Sequence, residues 1–260
     1  MSLDEIVITQ AIIESYLKDF IKFSDVDVAI VGAGPSGMVA AKYLADAKLK
    51  VVIFERRLSI GGGIWGGGMM FNKIVVQEEG KAILDEFGIK HEFYRENYYT
   101  VDAIETASKL ASGVIDAGAK ILNLITVEDV MYREDKITGV VINWSATEIA
   151  KLHVDPMTIR AKFTVDATGH ECSVISLVEK KLKGKLFTKE GKILGERSMW
   201  AENGEKILIE TTKEIYPNLY VTGMAANAVS GGPRMGPIFG GMLISGKEVA
   251  KLIIQRFHQK

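Results

Sequence analysis

Residues 26–37 read VDVAIVGAGPSG, an almost uninterrupted apolar run that ends in three glycines, Gly32, Gly34 and Gly37. The run has the character of a strand, and the glycine spacing is that of a phosphate-binding turn leading into a helix. The first glycine permits a tight turn, the second lets backbone approach a pyrophosphate, and the third lets the helix pack close to the strand. Residues 38–47, MVAAKYLADA, are good helix formers whose N-terminal end faces the anion. A second strand over 51–54 ends in Glu55, near the spacing at which an acid binds a ribose hydroxyl. A lone Gly-x-Gly-x-x-Gly competes with a plain glycine turn between core elements; strand, turn, helix, strand and acid in series favour the dinucleotide site. The expected class is α/β, a Rossmann-like dinucleotide-binding fold.

With 260 residues the chain is long enough to bury a sizeable core. It is read as one α/β domain over residues 1–260, with an N-terminal helix and an inserted β-rich segment near 120–160. The net charge of −1, with signs interspersed, offers no basic surface for nucleic acid. Cys172 is the only cysteine, so there is neither an internal disulfide nor a thiolate cluster for zinc or iron–sulfur. Acidic residues interrupt the apolar N-terminus, and no apolar run of about 18 residues occurs, which points to a cytoplasmic protein with no membrane partner.

Ile8, Ile12, Ile13, Tyr16, Leu17 and Phe20 recur at helical spacing, predicting an amphipathic helix over 6–23 that packs on the body or meets another subunit. After Glu55 comes RRLSIGGGIWGGGMMFNKIVV, with two triple-glycine runs around Ile64 and Trp65. Its glycines suit close approach to a ligand; a merely flexible loop is the alternative, and flexible linkers rarely carry such apolar residues. Helices are expected over 78–87 and 106–117, strands over 120–124, 127–133, 139–143, 161–167 and 219–222, and a terminal helix over 240–257. Around Arg234, the glycines and prolines of SGGPRMGPIFGG make a shaped loop suited to a carboxylate or phosphate, against the alternative of a solvated arginine in a turn.

Of four histidines, His153 and His170 stand in LHVDP and ATGH. In an extended segment His153 and Asp155 point to the same side, and with His170 they match a two-histidine, one-carboxylate iron site. From the residues alone, a hydrogen-bonded His–Asp pair is the plainer reading. Cys172, lacking an activating histidine, reads as a small buried apolar side chain.

Taken together, DVAIVGAGPSG, FERRLSIGGGIWGGG, HVDP, TGH, VTGM and GGPRMGPIFGGM resemble the thiamine thiazole synthases over nearly the whole chain, especially their archaeal branch. The double triple-glycine segment and the R-M-G-P-x-F-G loop carry most of the specificity. The resemblance implies an enzyme that consumes NAD as a substrate, with glycine and a sulfur source, to make an ADP-linked thiazole carboxylate for thiamine. Eukaryotic members sacrifice the sulfur of a cysteine that precedes a Met-Asp-Pro triplet. Here that position is His153, which implies the type that takes free sulfide with ferrous iron and turns over repeatedly. The same correspondence implies Asp155 and His170 as iron ligands, and leaves His153 to position sulfide or shuttle a proton. It further implies dinucleotide contacts at Ser36, Glu55, Arg56, Gly63, Val127 and Met224, and a glycine-carboxylate contact at Arg234. A ring-like homo-oligomer, commonly an octamer, with Asp155 near a subunit boundary completes what it implies.

Three rivals remain open at this point. The fingerprint, the ATG segment and the terminal strand, loop and helix also resemble flavin-dependent oxidoreductases with two dinucleotide-binding domains. Those usually place an acid after the last strand's glycine, where this chain has Met224 after Gly223. A sugar-phosphate isomerase acting on ribose 1,5-bisphosphate and a non-catalytic NAD-binding regulator are the others.

Overall fold

A computed structural model describes residues 2–182 and 185–259. Helix α1 (Glu5–Lys22) starts at Asp4, whose side chain accepts from the Ile6 and Val7 amides. Strand β1 (Asp25–Val31), helix α2 (Pro35–Asp46) and strand β2 (Val51–Glu55) form the predicted unit. β1 is central because its apolar run is buried on both faces, between parallel neighbours β2 and β9 (Met157–Asp166).

Between β2 and β9 come β3 (Lys73–Val76), α3 (Lys81–Glu86), β4 (His91–Arg95), β5 (Tyr98–Asp102), α4 (Ala103–Asp116), β6 (Lys120–Asn123), β7 (Ile125–Arg133), β8 (Lys136–Trp144) and α5 (Ser145–Ile149). After β9 follow α6 (Ser173–Lys181), α7 (Ala201–Thr211), β10 (Lys213–Tyr216), β11 (Leu219–Val221), α8 (Met224–Ser230) and α9 (Gly240–His258). The main sheet runs β10-β11-β9-β1-β2-β6, parallel except for β10, and the β7–β8 hairpin joins it through antiparallel pairing of β8 with the first half of β9. β9 is long enough for both partners: residues 157–160 pair with β8, and 164–166 with β11. Helix α2 packs against both α4 and α9, whereas α6 packs on β7 and β9.

The expected helix over 78–87 divides into a short 3-10 turn, Glu78–Gly80, and α3. A separate antiparallel sheet in the order β3-β5-β4 is an addition to the sequence reading. β4 is largely exposed, so its sequence HEFYR has no buried face to impose alternation. Likewise α1 packs less than its periodicity suggests. Tyr16 and Phe20 turn toward the body, Tyr16 against the Trp144 ring at 5.9 Å, while Ile6, Ile12, Ile13, Leu17 and Ile21 are exposed. Among the described residues no helix is long and apolar enough to cross a membrane.

Candidate active site

A cleft of about 1200 Å³ opens where β1, β2 and β9 end, the place at which open α/β sheets bind ligands. The fingerprint glycines divide their work there. A Cβ on Gly32 would lie 2.5 Å from the Ala167 carbonyl oxygen, and one on Gly37 2.2 Å from that of Gly32, so both are packing requirements. Gly34 has nothing within 4 Å of a Cβ and lines the cleft, so its open space is available to a ligand. It also precedes α2 without any side-chain cap, leaving first-turn amides directed toward that space. Ser36, in that first turn, lines the cleft as well.

Glu55 is buried beside the turn; its Oε2 accepts from the Ala33 amide and its Oε1 from the Arg57 amide, both at 2.9 Å. A carboxylate has about four acceptor positions, so these two bonds fix its orientation and leave capacity for a ribose hydroxyl. The triple-glycine segment closes the turn from above. The Gly61 amide donates to the Ala33 carbonyl at 2.8 Å, Ile64 is fully buried, and a Cβ on Gly62 would stand 3.2 Å from Gly34 Cα. This is an anchored set of turns, and Gly62, Gly63, Gly68 and Met69 line the cleft.

Arg56 pairs with Glu171 at 2.8 Å across the cleft's outer end. The hydrogen bond with Glu171 raises the Arg56 guanidinium's pKa, and the same bond lowers that of the Glu171 carboxyl. Val127 lines this end from β7, near Glu148, whose Oε2 accepts from Thr126 Oγ1 at 3.2 Å.

Strand β9 terminates in the fully buried Asp166, whose pKa is raised by burial. Its Oδ1 accepts from the Thr168 amide and hydroxyl, and its Oδ2 from the Ile175 amide at 3.0 Å, so it ties the strand end to the start of α6. The turn thus held presents His170, half-exposed, on the cleft wall, with Nδ1 2.6 Å from Glu196 Oε1. Cys172 is buried at φ +37° just behind, and burial pushes its thiol up to about 11.

Arg234 lines the cleft from a loop held on several sides. Its amide donates to the Arg197 carbonyl, its carbonyl accepts from the Trp200 amide, and the Arg197 amide donates to the Gly232 carbonyl. Underneath, Asn227 Nδ2 donates to the Pro233 carbonyl and the Phe239 amide to that of Val75. Met224 lines the cleft after Gly223, whose φ of +63° and whose amide, donating a hydrogen bond to Ser245 Oγ, make the turn out of β11.

One cleft therefore gathers Gly32, Gly34, Ser36, Glu55, Arg56, Gly63, Val127, His170, Met224 and Arg234, with Gly37 packed behind it. His153 and Asp155 lie outside, exposed on the irregular segment before β9. Among the described residues no group of three or more His, Cys, Asp or Glu side chains is placed to hold a metal. Glu171 and Glu196, which meet Arg56 and His170, are not marked by the sequence as site residues, because their partners stand 115 and 26 residues away and only the fold brings them together.

The chain matches the family described as the Thi4 family over residues 9–239. It is 59% identical over 256 residues to a thiamine thiazole synthase of Methanothermobacter thermautotrophicus, covering 98% of this chain and 99% of that one. With a thiamine thiazole synthase of Pyrococcus furiosus the identity is 57% over 254 residues, 98% of each chain. The crystal structure of Thermovibrio ammonificans THI4 superposes with a TM-score of 0.96 over 100% of both chains at 48% identity. A geranylgeranyl bacteriochlorophyll reductase-like protein from Thermoplasma acidophilum shares the fold alone, at TM-score 0.54 and 17% identity over 90% of this chain and 79% of that one.

Proposed function

The chain belongs to the Thi4 family and acts as a thiamine thiazole synthase; from that premise we propose that it converts NAD, glycine and free sulfide into an ADP-linked thiazole carboxylate. The observation that carries this reading is the common opening of the Gly34 turn, His170 and Arg234 onto one cleft of about 1200 Å³, above the ~300–1,000 Å³ usual for small-molecule sites.

The adenosine diphosphate half is held still. The α2 amides and Gly34 take the pyrophosphate, Glu55 a ribose hydroxyl, and Ser36, Arg56, Gly63 and Val127 complete the clamp. The nicotinamide ribose extends toward Met224, His170 and Arg234. Its bond to nicotinamide breaks, the sugar isomerises to a ketone, and the carbonyl condenses with glycine whose carboxylate is held by Arg234. Sulfide then adds, and ring closure with loss of water completes the thiazole. Met224, in the place where an acid usually holds a flavin's ribityl chain, favours NAD as substrate over bound flavin.

His170 and Asp155 suit ferrous iron by donor type, an imidazole and a carboxylate. His170 presents its ring to the cleft and Asp155 is exposed outside it, so the two would hold an ion together only in a homo-oligomer of octameric type with Asp155 near a subunit boundary. Held by these two side chains, ferrous iron would supply Lewis-acid polarisation of a carbonyl or imine. His153 positions sulfide or carries a proton. Cys172 is no sulfur donor: it is buried, its Sγ is turned to Ser176 Oγ at 3.8 Å, and its thiol is raised to about 11. The enzyme works in the cytoplasm.

Anaerobic incubation of the protein with ferrous iron, NAD, glycine and sulfide is expected to give an ADP-thiazole by mass spectrometry, with free nicotinamide. Product formed without added sulfide, with Cys172 converted to dehydroalanine, overturns the sulfur assignment. A yellow preparation with flavin absorbance overturns the NAD reading.

A further inference from the structure

We infer that Glu196 is a positioning residue that fixes the tautomer and direction of the His170 ring and keeps His170 in register with Arg234. The inference rests on His170 being a metal ligand, as proposed above. Three observations carry it.

First, Nδ1 of His170 lies 2.6 Å from Glu196 Oε1. A carboxylate facing the ring accepts, so Nδ1 carries the proton, and in the neutral ring the lone pair is therefore on Nε2. That is the tautomer an imidazole needs in order to bind a cation through Nε2, and a carboxylate behind the ring is how metal-binding histidines are commonly oriented.

Second, the two side chains differ in exposure: that of His170 is 49% exposed and that of Glu196 is 17% exposed. The ring projects into the cleft from a three-residue 3-10 turn, Gly169–Glu171. Such a turn does not itself restrain two side-chain torsions, whereas a short bond to a half-sequestered carboxylate does.

Third, Glu196 begins a strap zipped to the Arg234 loop. The next residue, Arg197, donates its amide to the Gly232 carbonyl at 3.0 Å and accepts from the Arg234 amide at 3.2 Å; the Trp200 amide donates to the Arg234 carbonyl at 2.9 Å. One short piece of chain therefore links the anchor of His170 to the backbone of Arg234. Glycine has its nitrogen and its carboxylate on the same carbon. A site that engages both ends of so small a molecule needs its two holding groups at a fixed separation, and the strap supplies it.

The test uses the full-length protein and its Glu196→Ala and Glu196→Gln variants, with melting temperature and NAD binding confirming that each folds. In mildly alkaline buffer without metal, long-range proton–nitrogen NMR reads the imidazole tautomers of only four histidines, and His170→Asn identifies the signal. The wild type is expected to show the Nδ1-protonated form, and Glu196→Ala a shift toward the Nε2-protonated form. In anaerobic titration with ferrous iron, Glu196→Ala is expected to bind ~10–100-fold more weakly. Glu196→Gln, whose amide oxygen still accepts from Nδ1, should recover most of the affinity. In turnover, Glu196→Ala raises the KM for glycine while leaving that for NAD near its wild-type value. A wild type that binds no iron overturns the metal reading and this role with it. A wild type that binds iron, beside a Glu196→Ala variant with unchanged affinity or unchanged tautomer, overturns the role of Glu196 alone.

Discussion

Cys172 is held by burial in its neutral form, its thiol raised from an ordinary 9.0 to about 11. The native state therefore keeps a proton that the unfolded chain releases at lower pH, and stability falls as pH rises. This contribution is complete below about 9 and lost on the way to about 11, on the order of 2 kcal/mol in all. Between those limits the wild-type melting temperature is expected to fall more steeply than that of Cys172→Ala, read by calorimetry across a pH series; parallel curves refute the burial argument. At this scale the sequence was most legible where the demand is local. Two of the fingerprint glycines, Gly32 and Gly37, answer backbone contacts within a few residues or one strand away, and Gly34 leaves open space beside the helix start, so their spacing announces the turn. Glu196 and Glu171 act 26 and 115 residues from their partners, so only the fold brings their chemistry together.

Among the elements, the junction of β9 and α6 sets the reactive end of the cleft, and Asp166 holds it. Its Oδ1 accepts two bonds from Thr168 and its Oδ2 one from the Ile175 amide. Asp166→Asn preserves the volume but turns an NH₂ toward one of these donors, a donor–donor conflict in a site with no exposure. The expected cost is ~1–3 kcal/mol of stability by denaturant unfolding, together with weaker binding of the iron proposed at His170; a variant as stable as wild type refutes the junction's role. Elements with a long periodic or apolar signature, such as β1, α4 and α9, stand close to their expected positions. The helices α6, α7 and α8 went unread. α8 has only seven residues between Gly223 and Gly231 in a segment whose glycines signal a loop, and α6 begins directly behind the TGH turn that drew attention as a site. The length and context of these elements, more than their composition, hid them.

For the molecule as a whole, the apolar side of α1 and the position of Asp155 belong to one question. Ile6 and Ile13, two turns apart, are 66% and 52% exposed, while Asp155 stands outside the cleft it is proposed to serve. The homo-oligomer proposed above, assembling through α1, would account for both. Ile6→Glu with Ile13→Glu is expected to shift sedimentation from the multi-subunit species to smaller ones and to reduce iron uptake in parallel. A monomeric wild type, or full iron uptake by a dissociated variant, refutes the link. The strap between Glu196 and Trp200 has a further consequence, for the order in which heat takes the molecule apart. Because three of its backbone hydrogen bonds are shared with the Arg234 loop, these amides are expected to exchange with solvent in one cooperative opening. Warming is therefore expected to open the Arg234 side of the cleft as a unit, while the Gly34 turn, built on the central strands, outlasts it.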